Sequence, residues 1–174
     1  MYYKSRQRGT LACELAPVIM VLFFLFVFPM INLGMLAARY ALAMTACREA
    51  AHQAAVAYTF ETGTASRPSA IDAAKAAVTV TTAKFTGIKV KSQDVDIIES
   101  NILTQATNRY TDKLKTPANT QQNIYSLETT LVCDLEPLIT FKSPFLSALP
   151  GLTVPYTVRL FAREYAENPQ GLNQ

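Results

Sequence analysis

The sequence predicts an α+β protein in which a long N-terminal transmembrane helix extends outward into a small antiparallel sheet domain. Three observations predict it. Residues 15–38 carry no charge, residues 37–57 are rich in alanine, and residues 125–135 and 153–164 alternate between apolar and polar side chains. With 174 residues, 50% hydrophobic and 17% charged, the chain is long enough for one packed domain and too apolar for wholesale disorder. The division expected is a basic leader at 1–9, a transmembrane helix at 10–38, a soluble helical extension at 39–62 and an exported domain at 63–174.

The net charge of +3 is too small a field to indicate nucleic-acid binding. It is also concentrated. Lys4, Arg6 and Arg8 are the only charges in the first nine residues, and without them the remaining chain balances. A hydrocarbon slab of about 30 Å takes about 20 apolar helical residues, and the run from Leu15 to Ala38 meets that requirement. A core helix of a soluble protein seldom carries apolar side chains on every face. A cleaved secretory signal, cut near Ala41-Leu42-Ala43, is the other competitor, but its apolar region would be about 7–15 residues long and would not open on Glu14. The basic residues before the span place the N-terminus in the cytoplasm by the positive-inside tendency; Arg39 and Arg48 against Glu49 form the opposite flank. Pro17 falls in the first turns of a helix starting near Thr10, whereas Pro29 is expected to bend it.

Glu14 stands at the mouth of the apolar run, where a carboxylate needs a cation or access to headgroups. Arg6, Arg8 or snorkelling would serve. A cut after Gly9 would supply something else: the new ammonium of Thr10, one helical turn from Glu14 and able to meet that residue in the same chain or a neighbouring one. The cut would also remove all three basic residues that hold the segment in place.

Beyond the span, no Gly or Pro interrupts Met35 to Thr62, so the helix is expected to continue to about Phe60 and stop at Gly63. That gives a rod of about 70 Å at ~1.5 Å per residue. Its alanines suit either close approach of another helix or packing on the protein's own sheet. Ser69-Ala70-Ile71-Asp72 reads as a capping box with Asp in place of Glu, opening a helix over 70–84 that Gly87 terminates. Residues 95–98 form a short strand candidate. The segment 100–123, polar and without a clean period, reads as a long exposed loop. In 125–135, Tyr125, Leu127, Thr129, Leu131, Cys133 and Leu135 share one face of a half-buried strand. An apolar connection with Pro137, Pro144, Pro150 and Gly151 leads to the last strand, which Pro155 assigns to an edge or bulge. The polar tail after Glu167 is expected to fray.

Catalytic and metal-binding chemistry is sparse. One His, three Cys without a CxxC pair, and no phosphate loop or nucleophile elbow argue against an enzyme, a resident metal or a cofactor. His52 reads as a surface or interface residue, and Asp94, Asp96 and Glu99 as strand-edge solvation rather than a cation site. Cys13 reads as a small apolar helix residue. Cys47 and Cys133 leave two readings open. A disulfide between helix and sheet would close a loop of about 86 residues, a stabilisation of roughly 4 kcal/mol; alternatively, two buried thiols pack as small hydrophobes.

The run Arg8-Gly9-Thr10-Leu11-Ala12-Cys13-Glu14-Leu15 resembles the class III leader of type IV pilin-like proteins, in which a basic leader ends in Gly and a Glu follows five residues on. More narrowly, the chain resembles the TadE/TadG-like pseudopilins of the tight-adherence (Tad) pilus system. Ala46-Cys47-Arg48-Glu49-Ala50-Ala51 matches their Ala-rich Arg-Glu segment. Ser143-Pro144-Phe145-Leu146, Leu149-Pro150-Gly151-Leu152 and Ala162-Arg163-Glu164-Tyr165 match their apolar loop and last strand. The likeness covers residues 5–58 and, more loosely, 124–167; Leu15 stands where relatives carry an aromatic residue. The resemblance implies a pilin-like fold in a bacterial inner membrane, cleavage between Gly9 and Thr10 by a prepilin peptidase, and Glu14 setting register in assembly. Membrane lipid, other pilin subunits and, indirectly, a secretion ATPase with its platform protein are the implied partners, and adhesion or secretion the output. The alternative is an exported binding domain whose helix is only a tether.

Overall fold

The computed structural model describes the backbone of residues 7–140 and 149–174, and the side chains of those from Leu15 onward. Lys4, Arg6 and Ser143-Pro144-Phe145-Leu146 lie outside the described residues, as do the side chains of Arg8, Thr10, Cys13 and Glu14. A single helical rod opens the chain: α1 (Gln7–Leu22), a π-helical turn (Phe23–Val27) and α2 (Phe28–Val56) follow without a break. At about 1.5 Å per residue it is about 75 Å long. The helix starts before Thr10, so Pro17 lies in its interior rather than in its first turns. The irregularity expected at Pro29 takes the form of the π turn just before it, where the Phe28 N–H donates to the Phe23 carbonyl. Proline offers no N–H to the carbonyl four residues back, and one widened turn accommodates the mismatch.

The rod ends at Val56, four residues earlier than the alanine content suggested. Ala57 turns to extended geometry (ψ 148°) and its N–H bonds back to the Ala54 carbonyl. A tertiary pull overrides propensity here: Phe60 is fully buried in the core, and its N–H is taken by the Gly171 carbonyl at 3.3 Å.

Helix α3 (Ala70–Thr82) begins as its sequence indicated. The Ser69 hydroxyl accepts from the Asp72 N–H at 3.2 Å and donates to the Asp72 carboxylate at 2.8 Å. Four strands follow, β1 (Ile88–Asn101), β2 (Thr107–Tyr110), β3 (Asn123–Leu135) and β4 (Tyr156–Tyr165), in an antiparallel sheet of order β2-β1-β3-β4. The predicted inward face of β3 holds along its whole length, each of its six residues being at most 5% exposed. Helix α2 lies over β3 and β4, with α3 beside it toward β1. The core joins Ala43, Cys47, Ala50 and Ala54 of α2 to Leu127, Leu131 and Cys133 of β3 and to Val158 and Leu160 of β4. Alanine at the contact lets the helix approach the sheet closely, and each buried Leu or Val contributes about 1.5–3 kcal/mol.

Three expectations need correction. The strand foreseen at 95–98 is the end of a much longer β1, whose register shifts between Val90 and Ser92 and so breaks the alternation. The segment 100–123 is not one exposed loop: it contains β2 and buries Leu114 and Ala118. The C-terminal tail is docked, not frayed. A 3-10 turn (Pro169–Asn173) buries Gly171 and Leu172, and the Leu172 carbonyl accepts from the Leu114 N–H at 2.9 Å. A Cβ on Gly171 would lie 1.6 Å from the Tyr58 carbonyl oxygen, so this close approach is open to glycine alone.

Candidate functional site

The functional candidate is the rod and its junction with the sheet. From Leu15 to Ile31 large apolar side chains are exposed on every face, Val18, Met20, Val21, Leu25 and Met30 each by more than 60%. Only 6% of the most apolar stretch is buried inside the protein. A helix belonging to a soluble core would hide one side. An apolar surface of this extent needs a cover, and this helix is long and apolar enough to cross a membrane.

The protein begins to cover its own helix at Asn32. This side chain, wholly buried, is matched to the backbone of a single residue: its carbonyl accepts from the Ile139 N–H at 3.1 Å, and its amide donates to the Ile139 carbonyl at 3.4 Å. Two turns further on, Arg39 is only 7% exposed. Its guanidinium donates to the Thr86 carbonyl at 3.1 Å and to the Glu136 carbonyl. Gly87, at φ +86°, lies flat against that guanidinium. Arg39, read from sequence as a flank charge, is thus a clamp between helix and sheet, and Arg48 and Glu49 are the exposed charges on that part of α2. Between the two clamps Leu36 packs on Gly151.

Above Arg39 the alanines are spent internally. Ala43, Ala46, Ala50, Ala51, Ala54 and Ala55 are buried. The exposed stripe is Thr45, Arg48, Glu49, His52, Gln53 and Val56, within which Gln53 donates to Glu49 at 2.9 Å. His52 is therefore a surface residue.

Cys47 and Cys133 are neighbours in the core, and in the structure both are free thiols rather than bridged. The Cys47 thiol donates to the Thr129 carbonyl at 3.4 Å. Burial, reinforced by the neighbouring Cys133 sulfur, pushes its pKa up to about 11. The Cys133 thiol is raised by burial as well, with a contribution from Asp134.

The acidic residues of β1 do not converge. Asp96 is not solvated as expected: it is only 8% exposed and pairs with Arg109 at 3.3 Å on the outer face, while Arg109 also pairs with Glu128, which Arg163 binds at 2.7 Å from the far side. Glu99 turns the other way, into a cluster that the sequence did not reveal. Its carboxylate accepts from Tyr110 (2.8 Å), Tyr125 (2.9 Å), Asn123 (2.6 Å) and Asn108 (3.4 Å). Burial alone would raise this carboxyl, but the four hydrogen bonds outweigh it and hold the group below the usual carboxylate range. The Tyr110 hydroxyl is raised by the same bond. Among the described residues, no group of three or more His, Cys, Asp or Glu is placed to hold a metal.

Gly9 and Thr10 are consecutive backbone positions within α1; the Glu14 side chain, and with it any partner it meets, lies outside the described residues. When the chain is compared with models of protein families, with curated proteins and with solved structures, none matches.

Proposed function

We propose that the chain is a membrane-anchored structural subunit of the pseudopilin kind, built for assembly with other subunits of a Tad-type pilus or a related secretion or adhesion apparatus. One observation carries the reading: a single unbroken rod is bare and apolar from Leu15 to Ile31 and sheathed by a sheet domain over its second half. Such a rod holds a subunit in lipid through one half and presents a head through the other. The leader-like run Arg8-Gly9-Thr10 and the carboxylate of Glu14 at the mouth of the apolar stretch point the same way. On this reading the N-terminus is cytoplasmic, the sheet domain is exported across a bacterial inner membrane, and a prepilin peptidase frees Thr10. The Thr10 ammonium, on this subunit or its neighbour, then compensates Glu14.

A second reading has its own support. The small-residue face of α2 is used up against the sheet and α3, and a mainly polar stripe remains outward. That suits a tethered binding domain whose outer helix has no helical neighbour.

Mass spectrometry of the chain extracted from membranes separates the two. A start at Thr10 is expected, and an intact start supports the tether. A start near Met44 would overturn both by making the apolar run a signal. Glu14→Ala should insert normally but fail to enter assemblies; unimpaired assembly refutes the register role.

A further inference from the structure

The sheet domain does not stand clear of the apolar rod. Measured from Leu15 at about 1.5 Å per residue, Phe24 and Phe28 lie about 14 and 20 Å along the helix axis, and Asn32 about 26 Å. A hydrocarbon slab is about 30 Å deep. Yet at these heights the helix already has companions. Ile139 is bonded to Asn32, and Leu149 and Leu152 form one wall of a cleft whose other wall is Phe24, Leu25 and Phe28. Leu138, Ile139 and Leu149 are themselves each more than 40% exposed, with nothing polar gained by their exposure.

We infer that the two arms of the connection between β3 and β4, residues 137–140 and 149–153, are seated among the acyl chains of the leaflet distal to Glu14, docking the sheet domain on the bilayer. This rests on the reading of the helix as lipid-embedded. Irregular backbone at that depth is tolerated only where its polar groups are satisfied within the protein. Several of them are. Asn32 takes both the N–H and the carbonyl of Ile139. The second arm closes on itself: Leu149 N–H donates to the Thr153 hydroxyl at 2.8 Å, Thr153 N–H to the Leu149 carbonyl at 2.9 Å, and Gly151 N–H to the Val154 carbonyl at 2.8 Å. A buried asparagine within an apolar run thereby acquires a reason. It carries the hydrogen bonds that let a loop enter lipid.

The chain contains no Trp, so single tryptophans report depth without background. Leu149→Trp and Leu138→Trp, each in the full chain, are reconstituted in phosphatidylcholine–phosphatidylglycerol vesicles with or without brominated acyl chains. Val21→Trp marks the anchor and His52→Trp the exposed outer helix. The expected result is blue-shifted emission and loss of fluorescence to bromolipid at Leu149 or Leu138, approaching that of Val21→Trp and well beyond that of His52→Trp. If both loop variants emit and quench like His52→Trp while Val21→Trp is quenched, the loop stands in water and the inference is overturned with the anchor intact. If Val21→Trp is not quenched either, the anchor reading falls, and this inference with it.

Discussion

Gly87→Ala tests the clamp between rod and sheet. A Cβ at this position would lie 2.4 Å from Arg39 Cζ and 2.6–2.7 Å from two of its nitrogens. No contact of that length survives, so the guanidinium must leave its place. It then loses its bonds to the Thr86 and Glu136 carbonyls. A hydrogen bond from a charged donor is worth about 1.5–3 kcal/mol, and leaving the carbonyls unpaired adds to the loss. The left-handed backbone at φ +86° costs any L-residue about 1–2 kcal/mol more. With both bonds lost, the sum, about 4–8 kcal/mol, is comparable to the whole stability of a small domain. The assay is a urea titration of the full chain in micelles, read by pulsed amide exchange in β3, which the micelle-held helix does not confound. Arg39→Ala supplies the control. With the guanidinium gone, Gly87→Ala should cost only its backbone share, giving a coupling of about 3–6 kcal/mol between the two sites. Additivity within about 0.5 kcal/mol would refute the argument, because it would mean that the new methyl and the guanidinium never compete.

Other outcomes follow from the geometry. Because the folded state holds Glu99 below its ordinary range, its contribution to stability is complete above the unfolded carboxylate pKa and disappears as pH falls through the folded value; Glu99→Gln should flatten that acid limb in pH-dependent melting, and an unchanged limb counts against the cluster. Gly171→Ala should expel the tail, since the clash is with the Tyr58 backbone; losing Leu172 from the core costs about 1.5–3 kcal/mol, and C-terminal proteolysis should accelerate, a result that equal resistance would contradict. With burial raising both thiols, Cys47 and Cys133 should resist iodoacetamide in the native chain and react once it is denatured. Fast native labelling would overturn the burial argument, and a denatured chain that still refuses the reagent would identify a disulfide between the two.

The strand β3 was readable because one face is apolar along most of its length and the other carries its charges: Leu127, Leu131 and Leu135 inward, Glu128 and Asp134 outward. Strand β1 was not. Its register shift between Val90 and Ser92 moves the pattern by one residue, and β2 covers its outer edge only at Ile97–Ser100, so Lys89, Lys91 and Asp94 belong to an open margin. The Glu99 cluster was unreadable for another reason. Its donors come from residues 108, 110, 123 and 125, which only the β2-β1-β3 order assembles. The docked tail depends on an absent side chain at Gly171 meeting a distant carbonyl, and no local pattern announces that.

The point at which the protein starts to cover its own helix was written in the sequence, but in residues that give no contrast. Asn32, Leu36, Arg39, Ala43, Ala46, Ala50 and Ala54 follow one another at intervals of three and four, the spacing of one helical face. All but Leu36, which is partly buried, are hidden in the structure. A periodicity search looks for apolar residues standing out against polar ones. Here the buried face contains an amide, a guanidinium and four methyl groups, while the opposite face below Tyr40 is as apolar as lipid requires. The packing stripe is therefore more polar at its start than the surface it leaves exposed. If the proposed lipid anchor holds, that inversion is what a helix must show on passing from hydrocarbon into its own domain: outward-facing side chains would satisfy the bilayer, while inward-facing ones satisfy the backbone of the loops that come down to meet it.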